Sequence, residues 1–227
     1  FIGEEACRYY GIPAEKIVVA PLGYASRFHP RTNEQLIPYL GQLGLQPGKY
    51  ILCVGTLEPR KNLQLALRAY DQLPAAMRQQ YPLVIAGMMG WRHEQLADPL
   101  QRALSDESIR LLGYQDDMTL AHLVAGARLL LFPSVYEGFG LPVLESMASG
   151  VPVVVSNCAA LPELAGPAGI YIEPDDDRAC SDAIQQLIED PGHWQKHSDA
   201  GLLQAKNFSW QRCAKITANV YQQVVGF

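Results

Sequence analysis

No run of apolar residues in this 227-residue chain approaches the ~18 to 20 that a membrane-spanning helix requires, so the sequence is read as a soluble domain. Basic blocks are absent as well. Eighteen basic residues stand against 23 acidic ones, for a net charge of −5, which argues against a nucleic-acid groove and leaves room only for a local cationic site facing a small anion. The five cysteines (Cys7, Cys53, Cys158, Cys180, Cys213) are odd in number, scattered, and never in a CxxC pair, so neither a disulfide framework nor a zinc site is expected, and a reducing cytoplasm suits them best. There is no initiator methionine, signal-like start, internal repeat or low-complexity stretch; "FIGEEACRYYGI" reads as a helix already under way, as if cut from something longer.

What the chain does contain is enough apolar residue, 48%, to bury a sizeable core without staples. Seven short apolar runs recur along it: 16–21 "KIVVAP", 50–55 "YILCVG", 82–87 "PLVIAG", 109–113 "IRLLG", 128–134 "RLLLFPS", 151–156 "VPVVVS" and 169–174 "GIYIEP". Each is continuous rather than alternating, the pattern of strands covered on both faces. Helical periods lie between them. In "NLQLALRAYDQL", Leu63, Ala66, Leu67, Tyr70 and Leu73 fall on one face, and "TLAHLVAGA" repeats the pattern. After residue 175 three helical segments run to the end. Alternating strands and helices predict an α/β fold, a Rossmann-like doubly wound parallel sheet, with ligands at the carboxyl ends of the strands. A break is expected near "PLGYASRFHPRTNEQ" (21–35).

The segments that follow the strands are therefore where chemistry should collect. In "SVYEGFGLPVLESMASG", Gly138 and Gly140 permit close backbone approach, and Pro142 suits the first turn of a helix whose unpaired N–H groups would face an anion. Glu137 precedes the glycines and Glu145 lies about one turn into that helix, so the two acids could address two ends of one ligand; equally, Glu137 could be a solvated loop residue and Glu145 an acid complementing the helix dipole. In "GTLEPRKN", Arg60 and Lys61 stand side by side just before another helix, where cations are mildly disfavoured by the dipole unless they serve a phosphate. Other signals are better read blandly. Asp176 or Asp177 in "EPDDDRA" makes a good helix N-cap, His193 and His197 share a helix face without a third zinc ligand, and His93 and His122 are ordinary residues. Gly87 and Gly90 in "GMMGW" could line the cleft, with Met88, Met89 and Trp91 as packing.

With these motifs in order, the chain resembles the retaining, nucleotide-sugar-dependent glycosyltransferases of the GT-B fold, in the large family 4. The resemblance rests on "EGFGLPVLESMASGVPVVVSN", with its E-x7-E spacing of Glu137 and Glu145, and on "ILCVGTLEPRKNL", "LVIAG", "LLGYQDD", "LLLFPSVYEGFG", "ALPELAGPAGIYIEPDD" and "FSWQRCAKITANVY", from about residue 16 onward. It implies that residues 1–28 are a remnant of the acceptor domain and linker. Residues 29–227 would then be the donor-binding domain, forming the C-terminal half of a GT-B fold whose last helix, around Trp210 to Val225, crosses back to the first domain. By the same resemblance Glu137, Lys61 and Arg60 are the catalytic set. The donor lies on Gly55, Thr56, Gly113, Tyr114, Gly138, Phe139, Gly140, Leu141 and Glu145; Glu145 takes the ribose, the loop at Gly113 and Tyr114 borders the base, and no metal or resident cofactor is implied. Thr56 is a departure, since many members carry Arg there, so one phosphate contact is lost or supplied by Arg60. The donor implied is a nucleotide diphosphate sugar, GDP-mannose favoured and UDP-glucose next, with a glycan or lipid-linked acceptor, in the cytoplasm or at the inner face of a membrane through the acceptor domain. Two alternatives stay open: an epimerase or hydrolase of nucleotide sugars, which would turn over donor without acceptor, and a non-catalytic nucleotide-sugar-binding module, for which an acid beside the sugar has no use.

Overall fold

The computed structural model describes residues 1–88, 90 and 108–226. Among them six strands form one parallel sheet: β1 Ile51–Val54, β2 Leu83–Ala86, β3 Ile109–Gly113, β4 Leu129–Phe132, β5 Val153–Ser156 and β6 Gly169–Ile172, in the order β3-β2-β1-β4-β5-β6. Every residue of β2, β4 and β5 is buried, whereas β3 and β6, at the two edges, are partly open. That is why the central runs lack alternation: both faces are covered.

The two-residue period of a strand sends successive side chains to opposite faces and so builds two cores. Leu52, Val84, Leu130, Phe132, Val153 and Val155 enter one; Ile51, Cys53, Leu83, Ile85, Leu129, Leu131 and Val154 enter the other. Ten α-helices are described: α1 Ile2–Tyr10, α2 Asn33–Leu40, α3 Leu63–Asp71, α4 Ala75–Gln80, α5 Asp117–Ala125, α6 Leu141–Ala148, α7 Leu161–Ala165, α8 Asp177–Glu189, α9 Pro191–Ala205 and α10 Trp210–Val225. Helix α3 places Leu63, Ala66, Leu67 and Tyr70 in the second core, with Leu73 just beyond its end, as its period predicts. Full burial of each such leucine contributes about 1.5–3 kcal/mol.

The apolar run at 16–21 is not a strand. Lys16 ends a 3-10 turn, residues 17–22 pair with no strand, and Val18 and Val19 are exposed, because the sheet ends at β3 and β6 without them. Apolar composition alone cannot supply a neighbour to pair with. Helix α10 buries none of its residues, and Trp210, Tyr221, Val224 and Val225 stand exposed on it. Its start is nonetheless fixed against the linker, where a Cβ on Gly23 would lie 2.1 Å from the Trp210 nitrogen. Among the described residues no helix is long and apolar enough to cross a membrane.

The strand order reverses direction between β1 and β4, which are hydrogen-bonded neighbours reached by opposite routes along the chain. Such a switch point opens a crevice at the carboxyl ends of its two strands. The loops that leave β1 and β4 carry 55–62 and 133–140.

Candidate functional site

The β1 loop is shaped by close backbone contacts. Gly55 adopts φ 139°, and a Cβ there would lie 3.1 Å from Lys61 Cε. Gly87, at the end of β2, approaches so closely that its Cβ would meet the Gly55 oxygen at 2.0 Å. The Leu57 amide donates to the Met88 carbonyl (2.9 Å) and the Gly90 amide to the Leu57 carbonyl (3.1 Å). Gly87 and Gly90 thus brace the β1 loop from behind; Met88 is exposed, and Met89, Trp91 and His93 lie outside the described residues. A 3-10 turn, Pro59–Lys61, then presents Arg60 and Lys61, and Asn62 ends it in a left-handed conformation (φ 52°), its Nδ2 donating to the Pro174 carbonyl at 2.7 Å. Thr56 is exposed at the lip.

The β4 loop meets it directly. The Val135 amide donates to the Arg60 carbonyl at 2.8 Å, which sets the two loops side by side. Glu137 then accepts Lys61 Nζ at 2.6 Å and Arg60 Nη1 at 2.9 Å, both on Oε1. The Arg60 Nη2 group sits 2.6 Å from Glu58 Oε1, and Nη1 also donates to the Tyr136 carbonyl at 3.2 Å. The side chains of Glu137, Glu58 and Lys61 are 10%, 11% and 15% exposed, against 41% for Arg60. Three members of the cluster are therefore held in surroundings where charge pairing is little screened by water. Lys61 Nζ also lies 4.7 Å from the centre of the Phe132 ring.

Beyond Glu137 the chain turns through Gly138 and Phe139 to Gly140, whose φ of 100° makes the corner from which α6 starts. Among the described residues no acceptor takes the amides of Gly138, Phe139, Gly140 or Leu141. Unpaired amides at a helix start, beside two cations, make an anion-binding surface.

Glu145 lies within α6. Its carboxyl is largely buried and accepts no hydrogen bond from a described residue, and that burial pushes its pKa up to about 7, with Arg27 drawing it down and Asp117 adding to the rise. Arg27 Nη2 pairs with Asp117 Oδ2 at 2.9 Å, while the Arg27 carbonyl accepts Arg31 Nη2 at 2.6 Å. Sequence reasoning treated Arg27 as linker and missed Asp117 and Glu58; only the fold brings them to the site. Gly113 closes β3 and its carbonyl accepts the Gly87 amide (2.9 Å), and Tyr114, next to it, is 70% exposed.

The other candidates have structural roles. Asp176 caps α8 by accepting the Ala179 amide at 2.8 Å, and Asp177 lies 3.8 Å from Arg68 Nε. His193 and His197 have ring centres 4.6 Å apart on α9, with His197 Nδ1 3.0 Å from the Ala168 carbonyl oxygen. His122 is buried against Tyr39, rings stacked at 3.6 Å.

Comparison with known proteins bears on this arrangement. The family profile described as Glycosyl transferases group 1 matches residues 41–202. The chain is 42% identical over 223 residues to an O-antigen chain mannosyltransferase B of Escherichia coli, covering 98% of this chain and 58% of that protein. Among solved structures, sucrose-phosphate synthase from Thermosynechococcus elongatus superposes with a TM-score of 0.82 at 25% identity, over 99% of this chain and 57% of that one. Anabaena HepE in complex with UDP gives a TM-score of 0.82 at 19% identity, over 99% and 61%. The chain thus spans little more than half the length of the mannosyltransferase it matches. Its six-stranded sheet is the Rossmann-like α/β fold of GT-B glycosyltransferases. A family profile matched across most of the chain, on that fold, places the protein in the glycosyl transferases group 1 family.

Proposed function

We propose that residues 29–227 are the nucleotide-sugar donor-binding domain of a retaining GT-B glycosyltransferase of family 4. Residues 1–28 belong in this reading to the acceptor domain and the linker. The sugar moved is mannose, from GDP-mannose ahead of UDP-glucose, onto a glycan or lipid-linked acceptor. The observation that carries the reading is the union of Lys61, Arg60 and Glu137 at the β1/β4 switch point, beside four unpaired amides. The mannose assignment is supported by the name of the E. coli relative.

Breaking a sugar–phosphate bond develops positive charge on the ring and negative charge on the diphosphate. Lys61, Arg60 and the amides from Gly138 to Leu141 lie where the leaving group needs stabilisation, and Glu137 lies where the sugar does. Diphosphate oxygens entering the cluster compete with Glu137 for its two cations, and the carboxylate they release is free to accept sugar hydroxyls. Glu145 accepts ribose hydroxyls, Gly55 and Thr56 floor the phosphates, and Gly113 with Tyr114 borders the base. The two cations and the amides supply the positive potential that a metal provides in other sugar transferases. The acceptor hydroxyl attacks from the face the diphosphate leaves, which retains the anomeric configuration. The enzyme works in the cytoplasm or at the inner face of a membrane through the acceptor domain, and the 227-residue chain alone binds donor without transferring sugar.

Calorimetric titration with GDP, UDP, GDP-mannose and UDP-glucose tests this. Saturable binding of one nucleotide, weakened at least about tenfold by both Lys61→Ala and Glu145→Ala, is expected. Binding that ignores both substitutions would overturn the site assignment.

A further inference from the structure

Glu58 is the one acid of the cluster to which neither the motif nor the family reading gives a task. It is buried, it stands two residues before Arg60 across Pro59, and its Oε1 holds Arg60 Nη2 at 2.6 Å. Arg60 itself is the most exposed side chain of the four. An arginine so placed has many solvated rotamers open to it, and fixing it over a ligand costs free energy at the moment of binding. Its other anchors are Glu137 and the Tyr136 carbonyl, both on Nη1. A diphosphate arriving at the cluster competes for the Nη1 edge and leaves the Glu58 contact at Nη2 in place.

From this geometry we infer that Glu58 is a positioning residue, which holds the Arg60 guanidinium at the cleft while Glu137 is exchanged for a diphosphate. Arg60 then acts as the second phosphate cation in a loop whose Thr56 cannot. The inference rests on the proposed function and deepens it.

The sign of one measurement separates positioning from simple charge. A carboxylate near a diphosphate repels it, so if Glu58 does no more than that, Glu58→Gln tightens binding. If Glu58 holds Arg60, the same substitution weakens binding by about three- to tenfold, the cost of ordering one rotamer-rich side chain. GDP and UDP, with GMP and UMP beside them, are titrated into the parent, Glu58→Gln, Arg60→Ala and the double variant, each first checked for an unchanged unfolding temperature. The expected result is a loss confined to the diphosphates and abolished in the Arg60→Ala background. Equal losses for mono- and diphosphates mean that Glu58 merely supports the loop, tighter binding means that it only repels, and unchanged binding means that it does neither; each overturns the inference while leaving the donor site standing. Absence of GDP and UDP binding by the folded parent overturns the donor-site reading and this inference with it.

Discussion

Replacing Glu145 by glutamine should stabilise the folded chain, and only above a definite pH. Burial lifts the Glu145 pKa from an ordinary 4.5 to about 7, so the folded state holds the proton more tightly than the unfolded chain does. Stability attributable to this group is complete below about pH 4.5, falls as pH rises through the interval up to about 7, and is flat beyond it. A displacement of about 2.5 units at 1.36 kcal/mol each gives a cost of about 3 kcal/mol at pH 8. Glutamine keeps the shape and carries no charge to desolvate, so the variant should be about 3 kcal/mol more stable than the parent at pH 8 and within about 1 kcal/mol of it at pH 5. For a domain of this size that is a rise of about 6–12 °C in Tm at the higher pH. Urea unfolding of both proteins at pH 5 and pH 8 makes the measurement, and the parent-minus-variant difference cancels the other carboxylates. A difference that does not change with pH, or a variant less stable at pH 8, would refute the reasoning. The same variant should lose nucleotide affinity, since the amide cannot replace a carboxylate as double acceptor for a ribose diol.

Lys61→Ala should weaken nucleoside diphosphate binding by about 10- to 100-fold, the worth of one charge-assisted hydrogen bond, with little change in circular dichroism. Gly87→Ala forces a Cβ to within 2.0 Å of the Gly55 oxygen and should cost about 3 kcal/mol or more in urea unfolding, shifting the β1 loop and weakening nucleotide binding with it. Helix α10 buries no residue, so its amides should exchange with deuterium orders of magnitude faster than those of β1 and β4, and equal protection would show a partner for that helix in solution.

The sheet was legible wherever an apolar run was both continuous and bounded by turn residues, and six such runs became β1 to β6. The seventh, at 16–21, has the same composition but no strand beside it, because pairing is a property of the fold and not of the run. Lys61 and Glu137 could be named from their places after strands; that they would share a hydrogen bond across 76 positions could not. Glu58 reads in sequence as one more polar residue before a proline, and Arg27 as part of a polar linker. Their places beside the candidate site come from the Arg60 and Asp117 contacts that tertiary structure supplies.

The cluster of Glu58, Arg60, Lys61 and Glu137 contains two carboxylates and two cations, and so has no net charge. Its cations are solvated by its own acids before any ligand comes. A dianion approaching a protein of net charge −5 is therefore not drawn in from a distance, and lowering the ionic strength should not speed its arrival. In the proposed reading, capture begins only on contact, when phosphate oxygens displace one carboxylate from its partners. On that reading, discrimination among donors would reside in how long each stays, as dissociation rates, rather than in how quickly it is found.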